Sequence, residues 1–207
     1  MNPAPAPGDE SRQILNFLSV AATAALARDG VLIPDPASTL VSPGIALRPG
    51  VVLWPGTILQ RLGEGRIVIG EETALHPGTR IVAEGGAVIV GARAEIGEEG
   101  GFTVKACSGS ETGIGDGARL LGGGSLSLSN RIGRGAQILG PIRCQSCALA
   151  DGDTWRDTEP DRRGGVLKGS GVARNLDIPR GRVIQAFGVF AEADMRWQSF
   201  FHPKAGA

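Results

Sequence analysis

Residues 35–58 read DPASTL VSPGIA LRPGVV LWPGTI, four successive units of six residues. Three of them open on an aliphatic side chain (Val41, Leu47, Leu53), and the fifth place holds Thr39, Ile45, Val51 and Thr57. After an interruption around residues 63–66 the units resume as IGEETA LHPGTR from Ile69 and Leu75, and a second interruption surrounds residues 84–86. From Val90 the phase reads as unbroken through Ile96, Phe102, Ser108, Ile114, Leu120, Leu126, Ile132, Ile138 and Cys144. The pair Ile-Gly recurs at 96–97, 114–115 and 132–133, eighteen residues apart.

Six and eighteen have one physical reading. A short strand and a tight turn consume six residues, and three such units close a triangular coil. First-position aliphatics then point inward and stack on the coils above and below, a small fifth residue fits the narrowing corner, and glycine supplies positive φ at turns. Ile96, Ile114 and Ile132 are therefore expected on one inner face. Each coil buries its apolar side only against its neighbours, so both ends need covers. The expected architecture is all-β: a parallel β-helix over residues 31–149, a tip at 1–10, a helix at 11–29, a polar loop at 150–165, and strands with an aromatic arm at 166–207.

Composition agrees. The 207 residues include 33 glycines and 13 prolines, with 42% hydrophobic residues, which excludes collagen and a disordered chain and favours short strands with many turns. Lys+Arg and Asp+Glu balance at 21 each, so no overall field draws nucleic acid or an anionic membrane. Three cysteines are too few for a disulfide scaffold; Cys144 and Cys147 form one C-x-x-C, either a redox pair or, the favoured reading, two repeat positions in a reducing compartment. Ile14, Leu15, Leu18, Ala21, Ala22, Ala25 and Leu26 follow helical spacing, with Asp9 or Ser11 as the cap and Gly30 just past the end. The stretch lacks a positive leader and is too short to span a bilayer, so a cytoplasmic protein is expected.

These units resemble those of the hexapeptide-repeat proteins. That resemblance implies a left-handed parallel β-helix, commonly a homotrimer. The run RDGVLIPDPASTLVSPGIALRPGVVLWPGTIL (28–59) resembles the start of the acetyltransferase domain of the bifunctional N-acetylglucosamine-1-phosphate uridyltransferases, and GFTVKA (101–106) resembles the segment that gives that domain a sugar-phosphate-binding lysine, here Lys105. The resemblance covers about residues 10–150; the uridyltransferase half is absent. It implies acyl transfer to an amino-sugar phosphate with acyl-CoA (acetyl-CoA) as donor, and no metal. In those domains a histidine about one coil past the lysine deprotonates the sugar amine, whereas here the stretch from Cys107 to Gly133 has none.

The candidate bases are thus His76 and His202. His76 sits in LHPGT, in the register that elsewhere holds Arg48 and Trp54, which reads as an outward corner. Near the C-terminus, RWQSFFHPK brings Arg196, Gln198, His202 and Lys204 among Trp197, Phe200 and Phe201, read either as an arm docking on a neighbouring subunit or as an anion pocket with His202 as base. Asn130 and Lys105 complete the candidate ligand-binding residues. Two histidines cannot build the three-histidine zinc site of the carbonic anhydrases that share this solenoid. Two functions remain open: an acyltransferase acting on an amino-sugar phosphate, or a noncatalytic trimeric β-helix that binds a sugar nucleotide or scaffolds a partner.

Overall fold

In the computed structural model, which describes residues 8–202, the strands stack into three parallel ladders that wind as one three-sided solenoid. The first face begins with Leu40–Val41 and Ile58–Leu62 and runs to Ile142–Gln145. The second begins with Ala46–Leu47 and Arg66–Ile69 and ends with Asp177–Ile178. The third stacks Val52–Leu53, Ala74–Leu75, Glu95–Ile96, Arg119–Leu121 and Gln137–Leu139. Strand Val166–Arg174 turns a corner: residues 166–168 pair with Gln137–Leu139 on the third face, and 171–174 with Ile142–Gln145 on the first. Arg182–Val189 lies on it in parallel. The solenoid thus continues well past residue 149.

Local chemistry explains the winding. Pro43-Gly44, Pro49-Gly50, Pro55-Gly56 and Pro77-Gly78 supply the fixed φ and the left-handed φ (77–78° at each glycine) that a type II turn requires. Each turn redirects the chain by one face. Fifth-position threonines Thr39, Thr57, Thr73 and Thr79 are buried, and their hydroxyls satisfy corner carbonyls: Thr57 donates to Trp54 (2.7 Å), Thr73 to Gly91 (2.8 Å) and Thr79 to Ile96 (3.1 Å). The core is the inward stack of aliphatics, from Val41, Leu53 and Leu59 through Leu120 and Ile138 to Ile178 and Ile184. Coil-to-coil backbone bonds, such as Glu95 N–H to Ala118 O at 2.9 Å, tie the layers.

The register differs from expectation at one place. Ile114 does stack on Ile132, and on Val90 before it, along the second face. Ile96, however, stands on the third face between Leu75 and Leu120. Strand Thr103–Cys107 points Val104 and Ala106 inward, and Ser108 is an exposed turn residue and no inward position. Eight residues, in place of six, separate the inward Ile96 from Val104, and ten separate Val104 from Ile114. The coil is longer by a whole period.

Both ends carry covers of their own. In place of one helix over 11–29, the chain forms helices Asp9–Ile14 and Val20–Ala25 and a 3-10 turn Leu26–Asp29, closed by Gly30 at φ 79° as expected. Asn16 at φ 59° breaks the run. The break turns Phe17 inward over the first coil and lets Leu18 N–H reach Val41 O (2.9 Å), while Ile14, on the expected apolar face, is 83% exposed. Ser19 caps the second helix through Ala22 N–H, and the Asp9 carboxylate accepts from Val20 N–H. The buried Arg12 guanidinium donates to the carbonyls of Leu18, Pro36, Ala37 and Thr39, closing the corner that no coil covers. Residues 1–7 of the expected tip lie outside the described residues, and Asp9 and Glu10 are helical. At the other end Phe190, fully buried in a 3-10 turn, plugs the last coil. No helix among the described residues is long and apolar enough to cross a membrane.

Candidate functional site

The third face carries the site. Strand alternation sends every second side chain outward, so pairing places Arg119, Gln137, Val166 and Val183 in one outer row and Leu121, Leu139, Lys168 and Gln185 in the next. Two segments stand over this floor: the insertion between Leu149 and Val166, and the arm that follows Arg182–Val189. The arm reverses as Met195–Trp197, antiparallel to residues 182–184, and ends in a 3-10 turn, Gln198–Phe201. The buried Gln198 amide donates to Gly164 O (2.7 Å), and the Ser199 amide and hydroxyl both donate to the Asp161 carboxylate (2.8 Å each). Insertion and arm are thereby joined into one wall.

Between wall and floor lies a cleft of about 340 Å³. Its polar groups are Arg119, Gln137, Arg163, Lys168, Gln198 and His202, and among the described residues no carboxylate lines it. Arg119 is already engaged, by Glu95 (2.9 Å) and Glu98 (3.4 Å) behind it and by Trp155, whose ring centre lies 4.4 Å from its guanidinium carbon. Arg156 lies at the same distance from that ring and also reaches Glu95 (3.4 Å). Arg163 is oriented by the carbonyl of Asp157, which accepts from its Nε (3.1 Å) and Nη2 (2.6 Å). Lys168 has an aromatic neighbour, the Phe201 ring at 5.9 Å, and no carboxylate within ion-pair distance among the described residues. Arg163 and Lys168, which have no ion-paired carboxylate among the described residues, leave this aromatic-lined hollow a local field that favours an anion.

Sequence reasoning reached His202 and Gln198, and the structure brings both to this cleft. Gln198 serves there chiefly as an anchor. The other candidates lie apart. Arg196 sits on the outer strand, ion-paired to Asp194 (3.4 Å) and over the Phe200 ring (4.5 Å). Lys105 faces outward on the first face, paired with Glu84 (3.3 Å). His76 stacks on Trp54, ring centres 6.2 Å apart, as an outer turn ladder between consecutive coils. Asn130 is buried and structural: its amide donates to Ser127 O (2.8 Å) and its carbonyl accepts from Cys147 N–H (3.0 Å). Lys204 lies outside the described residues. Arg119, Trp155, Arg163 and Lys168 escaped sequence reading. The one available signal was Trp155, a lone large aromatic within an otherwise polar insertion.

Cys144 and Cys147 are a second chemical pair. Both are buried and reduced, Cys144 in the inward stack on Leu126. The Cys144 thiol beside it holds Cys147 down to about 6, helped by nearby backbone N–H groups, whereas that same contact and burial push Cys144 up. Among the described residues no group of three or more His, Cys, Asp or Glu side chains is placed to hold a metal ion.

No protein-family model matches this sequence, and neither does any curated protein. What the site does has to be read from its own geometry.

Proposed function

We propose that this chain is a hexapeptide-repeat acyltransferase-like protein, working as a homotrimer, whose phosphate-bearing substrate is held in the cleft beneath the arm. The observation that carries the reading is an imidazole, His202, sharing one cleft with Arg119, Arg163 and Lys168 and, among the described residues, no carboxylate. Arg163 and Lys168 suit a phosphate, the first as a fork and the second as a point charge. Imidazole is the side chain that exchanges protons near neutral pH. In that role His202 accepts a proton from the acceptor amine as its nitrogen attacks the thioester carbonyl, and the departing thiolate takes the proton up. Acyl-CoA as donor and an amino-sugar phosphate as acceptor rest on the resemblance of residues 28–59 and 101–106, an argument from analogy.

The second reading, a noncatalytic β-helix that binds a sugar nucleotide, is favoured by one specific observation. Among the described residues no side chain or carbonyl accepts a hydrogen bond from the His202 ring, and a general base is ordinarily oriented by a third group. Thiol release from acetyl-CoA in the presence of amino-sugar phosphates, measured beside calorimetric binding of pyrophosphate, decides between them. Under the first reading His202→Ala lowers turnover at least 100-fold, at the low end of what a general base contributes (~10²–10⁴), while binding changes little; Lys168→Gln weakens both. Pyrophosphate binding without turnover establishes the second reading. No binding by the intact protein overturns both.

A further inference from the structure

The cleft does not end at Lys168. A second hollow, about 440 Å³, adjoins it through shared walls at Arg119, Leu139 and Lys168 and runs over the corner between the third and first faces. Its apolar sides are Leu121, Leu139 and Phe187, the last 81% exposed, with Glu99 and Gln185 as its further polar lining. Its floor is bare, because Gly122, Gly140 and Gly169 stack there at φ between 80 and 120°. Stacking alone demands these glycines, since a Cβ on Gly140 would stand 2.0 Å from Gly169 O and one on Gly169 2.0 Å from Ala186 O. Their consequence for the surface is a groove without side chains along its bottom. A large apolar ring left facing water over a half-buried Leu139, beside a lysine with no ion-pair partner among the described residues, is the profile of a ligand groove more than of a resting surface.

We propose that the ligand of this site is an amphiphile: an anionic head on Arg163 and Lys168, and an apolar chain laid along Leu121, Leu139 and Phe187. This rests on the phosphate-binding reading of the cleft and adds the nature of what is attached to the phosphate. Lys168 stands at the junction, so head and chain are read on either side of one side chain. Two features favour this polarity over the opposite one. Among the described residues no carboxylate lines the cleft that takes the head, Glu99 standing on the adjoining groove, and Trp155 is already engaged by two guanidiniums.

Calorimetry with inorganic phosphate, butyl, hexyl and octyl phosphate below their micelle concentrations, and octylammonium tests this. Affinity should rise roughly two- to fourfold for each added methylene until the groove is full, given the transfer free energy of a buried CH₂. Phe187→Ser, a change at an exposed side chain that lines the groove and not the phosphate cleft, should erase most of the chain-length gain and leave phosphate binding unchanged; Lys168→Gln should weaken every phosphate in the series. If inorganic phosphate binds as tightly as octyl phosphate, the amphiphile is wrong and the phosphate cleft stands. If octylammonium binds as well as octyl phosphate, the groove is an indiscriminate apolar patch and the proposal falls. If nothing in the series binds, the cleft reading falls with it.

Discussion

Gln198 shows how much of this site depends on side chains that hold its wall in place. Its buried amide is the hydrogen-bond donor to the Gly164 carbonyl, and that bond, with the two from Ser199 to Asp161, fixes the turn on which Phe201 and His202 sit. Gln198→Ala leaves the Gly164 carbonyl buried without this partner, which costs about 1–3 kcal/mol. A Tm lowered by several degrees and a phosphate affinity reduced without change to any cationic residue are expected from thermal unfolding and calorimetry on the same sample. Wild-type affinity in a variant of lowered Tm would show that the arm is packing only. Sequence alone could mark Gln198 as polar among aromatics; which way its amide faced, inward to a carbonyl or outward to a ligand, depends on an insertion more than thirty residues earlier.

Among the strands, what was legible and what was not follow from the same periodicity. The inward aliphatics, the buried corner threonines and the Pro-Gly turns were all readable, because each repeats a local demand. The interruptions at 63–66 and 84–86 were readable too, since they shift the phase. The third was not. Two additional residues before Val104 and four after it restore the six-residue phase, so Ile114 looks like a continuation of Ile96 while standing on another face. An insertion of one whole period leaves no trace in a periodic pattern. The cleft was hidden for a related reason: Arg119 and Lys168 each occupy an ordinary outward position, and only stacking with the 29-residue step from Ile138 to Leu167 brings them together with Arg163. The excursions also differ in tolerance. Gly109 lies at an exposed tip with open space around it, so inserting Gly-Ser after it should cost under about 1 kcal/mol, as loop lengthening does. The same insertion after Gly135, inside an uninterrupted hexad where a Cβ would already meet Asp153 O at 2.4 Å, should lower Tm by well over 10 °C. Equal Tm values for the two would refute the assigned coils.

The whole molecule is a ladder that must be stopped at both ends. At the first end the Arg12 guanidinium and Phe17 close the opening; at the last, Phe190 fills it and Met195–Trp197 runs backwards along residues 182–184. That reversal occupies the outer backbone groups of a parallel edge that would otherwise accept another strand. Removing residues 195–207 should therefore do two things: abolish phosphate binding with the loss of the arm that walls the cleft, and produce concentration-dependent association visible by light scattering. A truncated protein that keeps the size distribution of the intact one would show that the edge was never exposed. The stacked design also turns the fold into a length standard. Neighbouring strands lie ~4.8 Å apart, so the outer row Glu95, Arg119, Gln137, Val166, Val183 is a scale graduated in steps of that size, passing from acid through cation and amide to hydrocarbon. A ligand held along the axis, as proposed, would be measured against those graduations. Adding or removing one coil beneath the arm would change the length it accepts by a single step, and no intermediate value is available to the fold.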